Sequence, residues 1–403
     1  MPRVRRPRFL FFYCHDHGFV DVERLLEGEL VPSSLRQVYG MSAARGEATP
    51  ISPGDVDLLL SIPSNEWVEP PGGQDDAVRA LVAGGVLLAE DADGEHAEVR
   101  RRDEALAETG WNAYAALFHF LTRWRDVDLR PREPGGEPDG EIPPLTRDSV
   151  ERFVELRGPP PVALHRVDRP RALRELPVVD RDDGLFGVLG RRRTTRAFDA
   201  DRPVKLDELA TVLRYVVGVH GYAPVLGDVV TLKRTSPSGG GLHPVEAYPV
   251  VANVEGLEPG VYHYATGEHA LELVEPLGSA DEARALATRF MCGQTYFGSA
   301  HVFLVLAARF ARNHWKYRNH HKAYPAMLMD AAHLSQTLYL VATELGLGAF
   351  VTAAVNGATV EERLGLDGYR EGVLAISGFG PPAAEPSPFD PDFRPFVPRE
   401  TRL

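Results

Sequence analysis

Ten of the fifty residues between 131 and 180 are proline, three of them consecutive at 159–161, in a chain with 33 prolines among 403 residues. Proline fixes φ and removes a backbone donor, so a stretch this dense reads as an extended crossing segment. It divides the chain into a unit at 1–130 and a unit at 184–403, joined by 131–183. At roughly 100–200 residues per domain, the length agrees with that division.

Charge and cysteine content narrow the function classes. The 44 Lys and Arg face 57 Asp and Glu, a net charge of −13, which opposes a protein built to neutralise a phosphate backbone. Cys14 and Cys292 are too few for a disulfide framework or a thiolate zinc site. The basic start, Met1 to Arg8, resembles the opening of a signal peptide. The apolar stretch behind it, Phe9–Cys14, is about half the usual length and runs into His15-Asp16-His17, so it reads as a strand. No run approaches the ~18 apolar residues of a membrane span; the longest clear one, Val302–Ala308, suits a buried strand. The expectation is a soluble chain of the cytoplasm with no nucleic-acid or membrane partner.

The first unit alternates helical and strand signals. Pro53-Gly54-Asp55 precedes apolar positions Val56, Leu59 and Leu60, and a second helical pattern carries Val78, Leu81 and Val82. Val86–Ala89 reads as a strand and Asp93-Gly94 as a turn. Helix, turn, helix and hairpin outline a winged helix, a module that binds peptides in some proteins and DNA in others; the acidic surroundings favour a peptide or protein partner. Residues 104–124 are expected to form one amphipathic helix with Trp111, Ala115, Phe118 and Trp124 on a shared face.

The chemistry-bearing strings lie in the second unit. Arg191-Arg192-Arg193-Thr194-Thr195-Arg196 packs four guanidinium forks and two hydroxyls into six residues, a donor set suited to phosphate or to a solvated basic turn. Helical spacing follows at 206–217. Ser236-Pro237-Ser238-Gly239-Gly240-Gly241-Leu242-His243-Pro244 follows neither phosphate-loop pattern; three glycines let backbone approach a flat ligand that any Cβ would obstruct. Strand patterns follow at 245–254 and from Val261, across the turn Gly256-Leu257-Glu258-Pro259-Gly260. Asn313-His314-Trp315-Lys316-Tyr317-Arg318-Asn319-His320-His321 concentrates titratable groups. Its histidines lack a carboxylate or thiol at ligand spacing, which argues against a metal. Lys316 beside Tyr317, if partly buried, supplies a general base and a proton donor; left exposed, it is an ordinary surface pair. Met327, Ala331, Leu334, Leu338, Val341 and Leu345 form one face of a long helix ended by Gly346.

Together these strings resemble the FMN-dependent nitroreductase superfamily, and within it the SagB-type branch that matures ribosomally made peptides. The likeness rests on Arg192 to Phe198, Pro237 to Pro244, Gly256 to Tyr264, Lys316-Tyr317 and Leu345-Gly346-Leu347-Gly348, in that order. It implies an α+β fold with a mainly antiparallel sheet flanked by helices, preceded by the winged-helix-like domain, and an intertwined homodimer with FMN at its interface. It implies that Arg192, Arg193, Thr194 and Arg196 hold the phosphate and ribityl side. Ser236, Pro237, Ser238, Gly239 and Gly240 would lie at the flavin ring.

Lys316 and Tyr317 would remove a proton while a hydride passes to flavin N5, turning an azoline into an azole or dehydrogenating a side chain of a precursor peptide. A peptide-modifying partner enzyme and leader binding by the first unit are further implications. The chain departs from the family at Thr194, where serine is common, and at His243, where tyrosine is. Arg394 and Arg399 are the candidates for the C-terminal phosphate contact. Two rival functions are an NAD(P)H-dependent nitro- or quinone reductase on the same flavin site, and a ligand-sensing DNA-binding regulator.

Overall fold

The computed structural model describes residues 1–20, 32–132, 136, 138, 140, 142, 146–164, 171–172, 174–227, 229–394 and 398. Among them no helix is long and apolar enough to cross a membrane.

The first unit opens with β1 (Val4–Arg5), then the antiparallel meander β2 (Leu10–Val20), β3 (Pro32–Ser42) and β4 (Glu47–Ile51). Ser52 starts α1 (Pro53–Ser61) through a reciprocal cap: its hydroxyl accepts the Asp55 N–H at 3.2 Å, and its own N–H donates to the Asp55 carboxylate at 2.7 Å. α1 buries Leu58 and Leu59 and leaves Leu60 exposed, so the apolar face sits one residue earlier than expected. After α2 (Asp75–Ala83), β5 (Leu88–Ala89) pairs with β1, not with a following hairpin strand. The reason is local: Asp93 takes an extended N-cap conformation and Gly94 begins α3 (Gly94–Thr109) instead of a turn.

One amphipathic helix over 104–124 does not form. Gly110, at φ +79, ends α3 in the left-handed conformation, and Asn112 caps α4 (Ala113–Thr122) through the Tyr114 and Ala115 amides. The break resets the helical phase. Trp111 is buried between the two helices and its indole N–H donates to the Tyr369 carbonyl at 2.9 Å, while Phe118 and Trp124 are exposed. The proline-rich segment likewise contains a helix, α5 (Arg147–Arg157), started by Thr146; it buries none of its residues.

Next come α6 (Gly184–Arg191), α7 (Leu206–Val216) and the hairpin β6 (Gly221–Leu226) and β7 (Val229–Lys233). The main sheet is assembled from β8 (Val245–Val251), β9 (Gly260–Ala265), β10 (Ala270–Pro276), β11 (Val302–Arg309), β12 (Gly348–Thr352) and β13 (Glu371–Gly380). Its order is β10-β9-β8-β11-β13-β12 and every pairing is antiparallel. β11 is its centre and is covered on both sides, which is why the sequence there is continuously apolar. Alternation sends Val302, Leu304 and Leu306 into one core and Phe303, Val305 and Ala307 into the other.

The first core lies under α7 and α10 (Ala323–Glu344). The second lies under α8 (Ala280–Phe290) and α11 (Gly357–Leu364), the last helix being numbered after α9 (Phe310–Lys316) and α10. A third cluster joins the two units: Leu106, Trp111 and Phe120 pack with Phe310, Tyr324 and Tyr369.

Candidate active site

The glycine string is held against α10 by one buried carboxylate. Asp330 accepts the Ser238 hydroxyl at 2.6 Å and the Gly239 amide at 3.0 Å; the Ser238 oxygen in turn accepts the His243 amide at 2.9 Å. Two helical turns further on, the Ser236 hydroxyl pairs with Thr337 at 2.6 Å. Both serines therefore turn their hydroxyls onto α10. The surface left to a ligand is glycine backbone, with Gly240 at φ +66 and Gly241 at φ +70, conformations that exclude most side chains. Asp330 was not singled out by sequence reasoning. The available signal was that it is the sole Asp, Glu, Lys or Arg between Lys322 and Glu344.

Behind the loop stands Arg234, buried, donating to the Val245 carbonyl at 3.2 Å. Burial lowers its pKa. His243, at φ +47, pairs through Nε2 with the Leu232 carbonyl at 3.2 Å. Burial, reinforced by the Arg234 charge, lowers the pKa of its imidazole.

Lys316 and Tyr317 meet this loop from the opposite side. They lie where α9 ends, and the Lys316 ammonium donates to the Gly240 carbonyl at 3.5 Å. A Cβ on Gly240 would lie 2.5 Å from the Tyr317 hydroxyl and 3.0 Å from Lys316 Nζ. Two strings 76 residues apart thus converge on one glycine. Tyr317 is half-buried, but Lys316 is exposed, so the burial that would tune the lysine is not supplied within one copy of the chain. A cavity of about 570 Å³ opens here; its walls are Val225, Val229, Val230, Leu242 and Trp315, with Lys316 and Gly240 at its edge. A separate cavity near Arg130 and Arg289 measures about 480 Å³. Of the neighbouring histidines, His314 is buried and His320 and His321 are exposed. Among the described residues no group of three His, Cys, Asp or Glu is placed to hold a metal.

The arginine–threonine string lies elsewhere on α10. Thr194 Oγ1 pairs with the Tyr339 hydroxyl at 3.1 Å, and the Arg192 guanidinium lies over the Tyr339 ring at 5.3 Å. Thr195 is buried and its amide donates to the Ala349 carbonyl at 2.8 Å, which adds the string to the edge of β12. Arg193 is exposed, whereas Arg196 is paired with Asp390 at 2.8 Å. Arg394 is exposed; Arg399 lies outside the described residues. At 3.6 residues per turn, Asp330 and Thr337 share a face of α10 to within about 20°, while Tyr339 is about 180° from Asp330. The two strings therefore flank the helix on opposite sides.

This arrangement can do three things chemically. It offers cations and a hydroxyl for phosphate, a Cβ-free backbone surface for a planar ring, and an amine beside a phenol for moving a proton. That donor set and the glycine cradle fit FMN.

Residues 189–380 match the model described as Nitroreductase family. Over 177 residues the chain is 30% identical to the trifolitoxin-processing protein of Rhizobium leguminosarum bv. trifolii, covering 43% of this chain and 46% of that one. Over 157 residues it is 30% identical to the microcin B17-processing protein of Escherichia coli, covering 38% and 56%. Over 188 residues it is 29% identical to a Methanocaldococcus jannaschii protein whose name assigns it to the nitroreductases, covering 46% and 86%. The chain thus spans about half the length of the two processing proteins it matches. From residue 189 to residue 380, this chain carries a nitroreductase-family domain.

Proposed function

We propose that the protein is an FMN-dependent dehydrogenase acting on a residue of a ribosomally synthesised precursor peptide. The observation that carries the reading is the convergence of Lys316 and Tyr317 on Gly240, at the edge of the apolar cavity. Its support from relatives is the likeness to two proteins that process trifolitoxin and microcin B17.

FMN, when bound, supplies the two-electron acceptor. Arg192, Arg193 and Thr194 would hold its phosphate side, with Arg196 added once released from Asp390. Pro237, Gly239 and Gly240 would lie against the ring, with Ser236 and Ser238 fixing that loop to α10. Tyr317 or Lys316 removes the proton from the substrate's α-carbon. The apolar cavity walls would face the substrate beside that pair.

We further infer a homodimer. The phosphate-binding string and the ring-binding loop stand on opposite sides of α10, so two copies together can bracket one cofactor where one copy presents two half-sites. The exposed apolar groups Leu185, Phe186, Leu189 and Met329 on α6 and α10 give a second copy a surface to cover. Residues 1–130 would serve as the leader-binding module, and the cytoplasm, where precursor peptides are made, would be its location.

The second reading, a nicotinamide-driven nitro- or quinone reductase, is favoured by the exposure of Lys316 and by coverage of most of the archaeal relative. Anaerobic spectra of the FMN-loaded protein separate the two. Bleaching by a thiazoline-bearing peptide supports the dehydrogenase; bleaching by NADPH with no response to the peptide supports the reductase.

A further inference from the structure

The segment that carries Lys316 and Tyr317 is gripped by the first unit. Trp111, in the break between α3 and α4, packs its ring against Phe310 at 4.6 Å and His314 at 4.9 Å, both on α9. Just beyond α9, the Asn319 amide donates to the Gly110 carbonyl at 2.8 Å. The Asn112 side-chain amide donates to the Asn319 carbonyl at 3.2 Å. Asn319 is thus held through both of its backbone polar groups, at φ +56, two residues from Tyr317.

Arg318 completes the contact. Its guanidinium donates to the Ala107 carbonyl at 3.2 Å, and its chain crosses Gly110 so closely that a Cβ there would lie 2.7 Å from Cγ. Gly110 is therefore required twice, by its left-handed backbone and by the passage of Arg318.

We propose that the Gly110-Trp111-Asn112 turn positions Lys316 and Tyr317, with Asn112 as the positioning residue. The inference rests on the proposed role of that pair in proton transfer, and extends it by making the first unit part of the geometry that the reaction needs. A 1 Å displacement of a proton-transfer group is costly to the rate, because such groups must lie within hydrogen-bond reach of the proton. Trp111 fixes the axis of α9, and the two bonds to Asn319 stop the chain after Tyr317 from swinging away from Gly240.

Asn112 serves two masters, and the test separates them. Its oxygen caps α4, while its NH2 group reaches Asn319. Asn112→Asp keeps the cap and removes the donor. In the full-length, FMN-loaded protein, hydrogen exchange over 317–322 should rise about tenfold, the equivalent of one net hydrogen bond. Exchange over α7 and α10 should stay unchanged. Turnover of a thiazoline-bearing peptide should fall with KM and FMN content unaltered. Unchanged exchange at 317–322, or an equal rise over α7, would overturn the proposal. If Tyr317→Phe oxidises the peptide as fast as the wild type while exchange in Asn112→Asp rises as expected, the grip stands and the proton-transfer role falls.

Discussion

A methyl group on Gly240 would lie 2.5 Å from the Tyr317 hydroxyl, closer than a carbon and an oxygen can approach without one of them moving. Gly240 also sits at φ +66, where an L side chain is strained. Gly240→Ala should therefore push Tyr317 and Lys316 out of register with the loop. The expected outcome is a fall in kcat of about 100-fold, the scale of a misplaced acid–base group, together with a lower FMN content, because the same methyl group obstructs the surface left to the ring. Flavin absorbance per mole of protein, measured beside turnover, checks both halves of that statement.

Asp330 should matter for a different reason. Replacing it with Ala leaves the Gly239 amide and Ser238 hydroxyl without their acceptor, at a cost of about 1–3 kcal/mol. The loop that carries the ring-binding backbone would loosen, so FMN affinity should fall along with thermal stability. Asp330→Asn should be milder, because one amide oxygen can still accept from one of the two donors. A flavin titration of the apo-protein orders the three.

Within the arginine string the guanidinium groups should not be equivalent. Arg192 rests on Tyr339 with its charge open to an anion, while Arg196 is engaged by Asp390. A charge-assisted bond to phosphate contributes about 1.5–3 kcal/mol, so Arg192→Ala should weaken FMN binding at least about tenfold. Arg196→Ala should weaken it less and should instead loosen the segment 387–390, whose Asp390 it holds. Fluorescence quenching of FMN on binding, with hydrogen exchange over the tail, tests this order.

Stability should drop in mild acid because three histidines are buried in the neutral form. Burial holds His119 down to about 3, and His301 and His314 down to about 4. His119 shows how this is built: its Nε2–H donates to the Gly368 carbonyl at 3.2 Å and its Nδ1 accepts the Tyr324 hydroxyl at 3.0 Å. In the unfolded chain a histidine titrates near about 6.5. Between that value and the folded one, only the unfolded state takes up the proton. Stability is thus fully present above about pH 6.5 and is lost as pH falls toward 4, by about 2 kcal/mol per histidine at pH 5. The melting temperature should fall from pH 7.5 to pH 5, and His119→Phe should show a smaller fall.

The parts of the site that the sequence displays are those made of unusual residues. The three glycines and the Lys316-Tyr317 pair are conspicuous as strings, and α10 announces itself by its apolar spacing. What links them is not periodic. The Asp330 anchor is one acid on an apolar helix, and only the folded chain shows that it faces the loop. The break at Gly110 was present as Gly followed two residues later by Asn, a helix end and a helix start that the apolar spacing of 104–124 concealed. The β1–β5 pair spans more than 80 residues, and a two-residue strand leaves no pattern to find. α5 formed inside the proline-rich segment because the prolines there flank 147–157 and none lies within it.

The central claim is that Lys316 and Tyr317 move the proton of a peptide oxidation at an FMN site. It is tested most directly by mixing a thiazoline-bearing peptide anaerobically with the FMN-loaded wild type, Lys316→Met and Tyr317→Phe, and following the visible flavin band. The expected result is bleaching in the wild type and persistence of the band in both variants, with equal flavin content in all three. Equal bleaching in all three, or bleaching by NADPH alone with none by peptide, would contradict the claim.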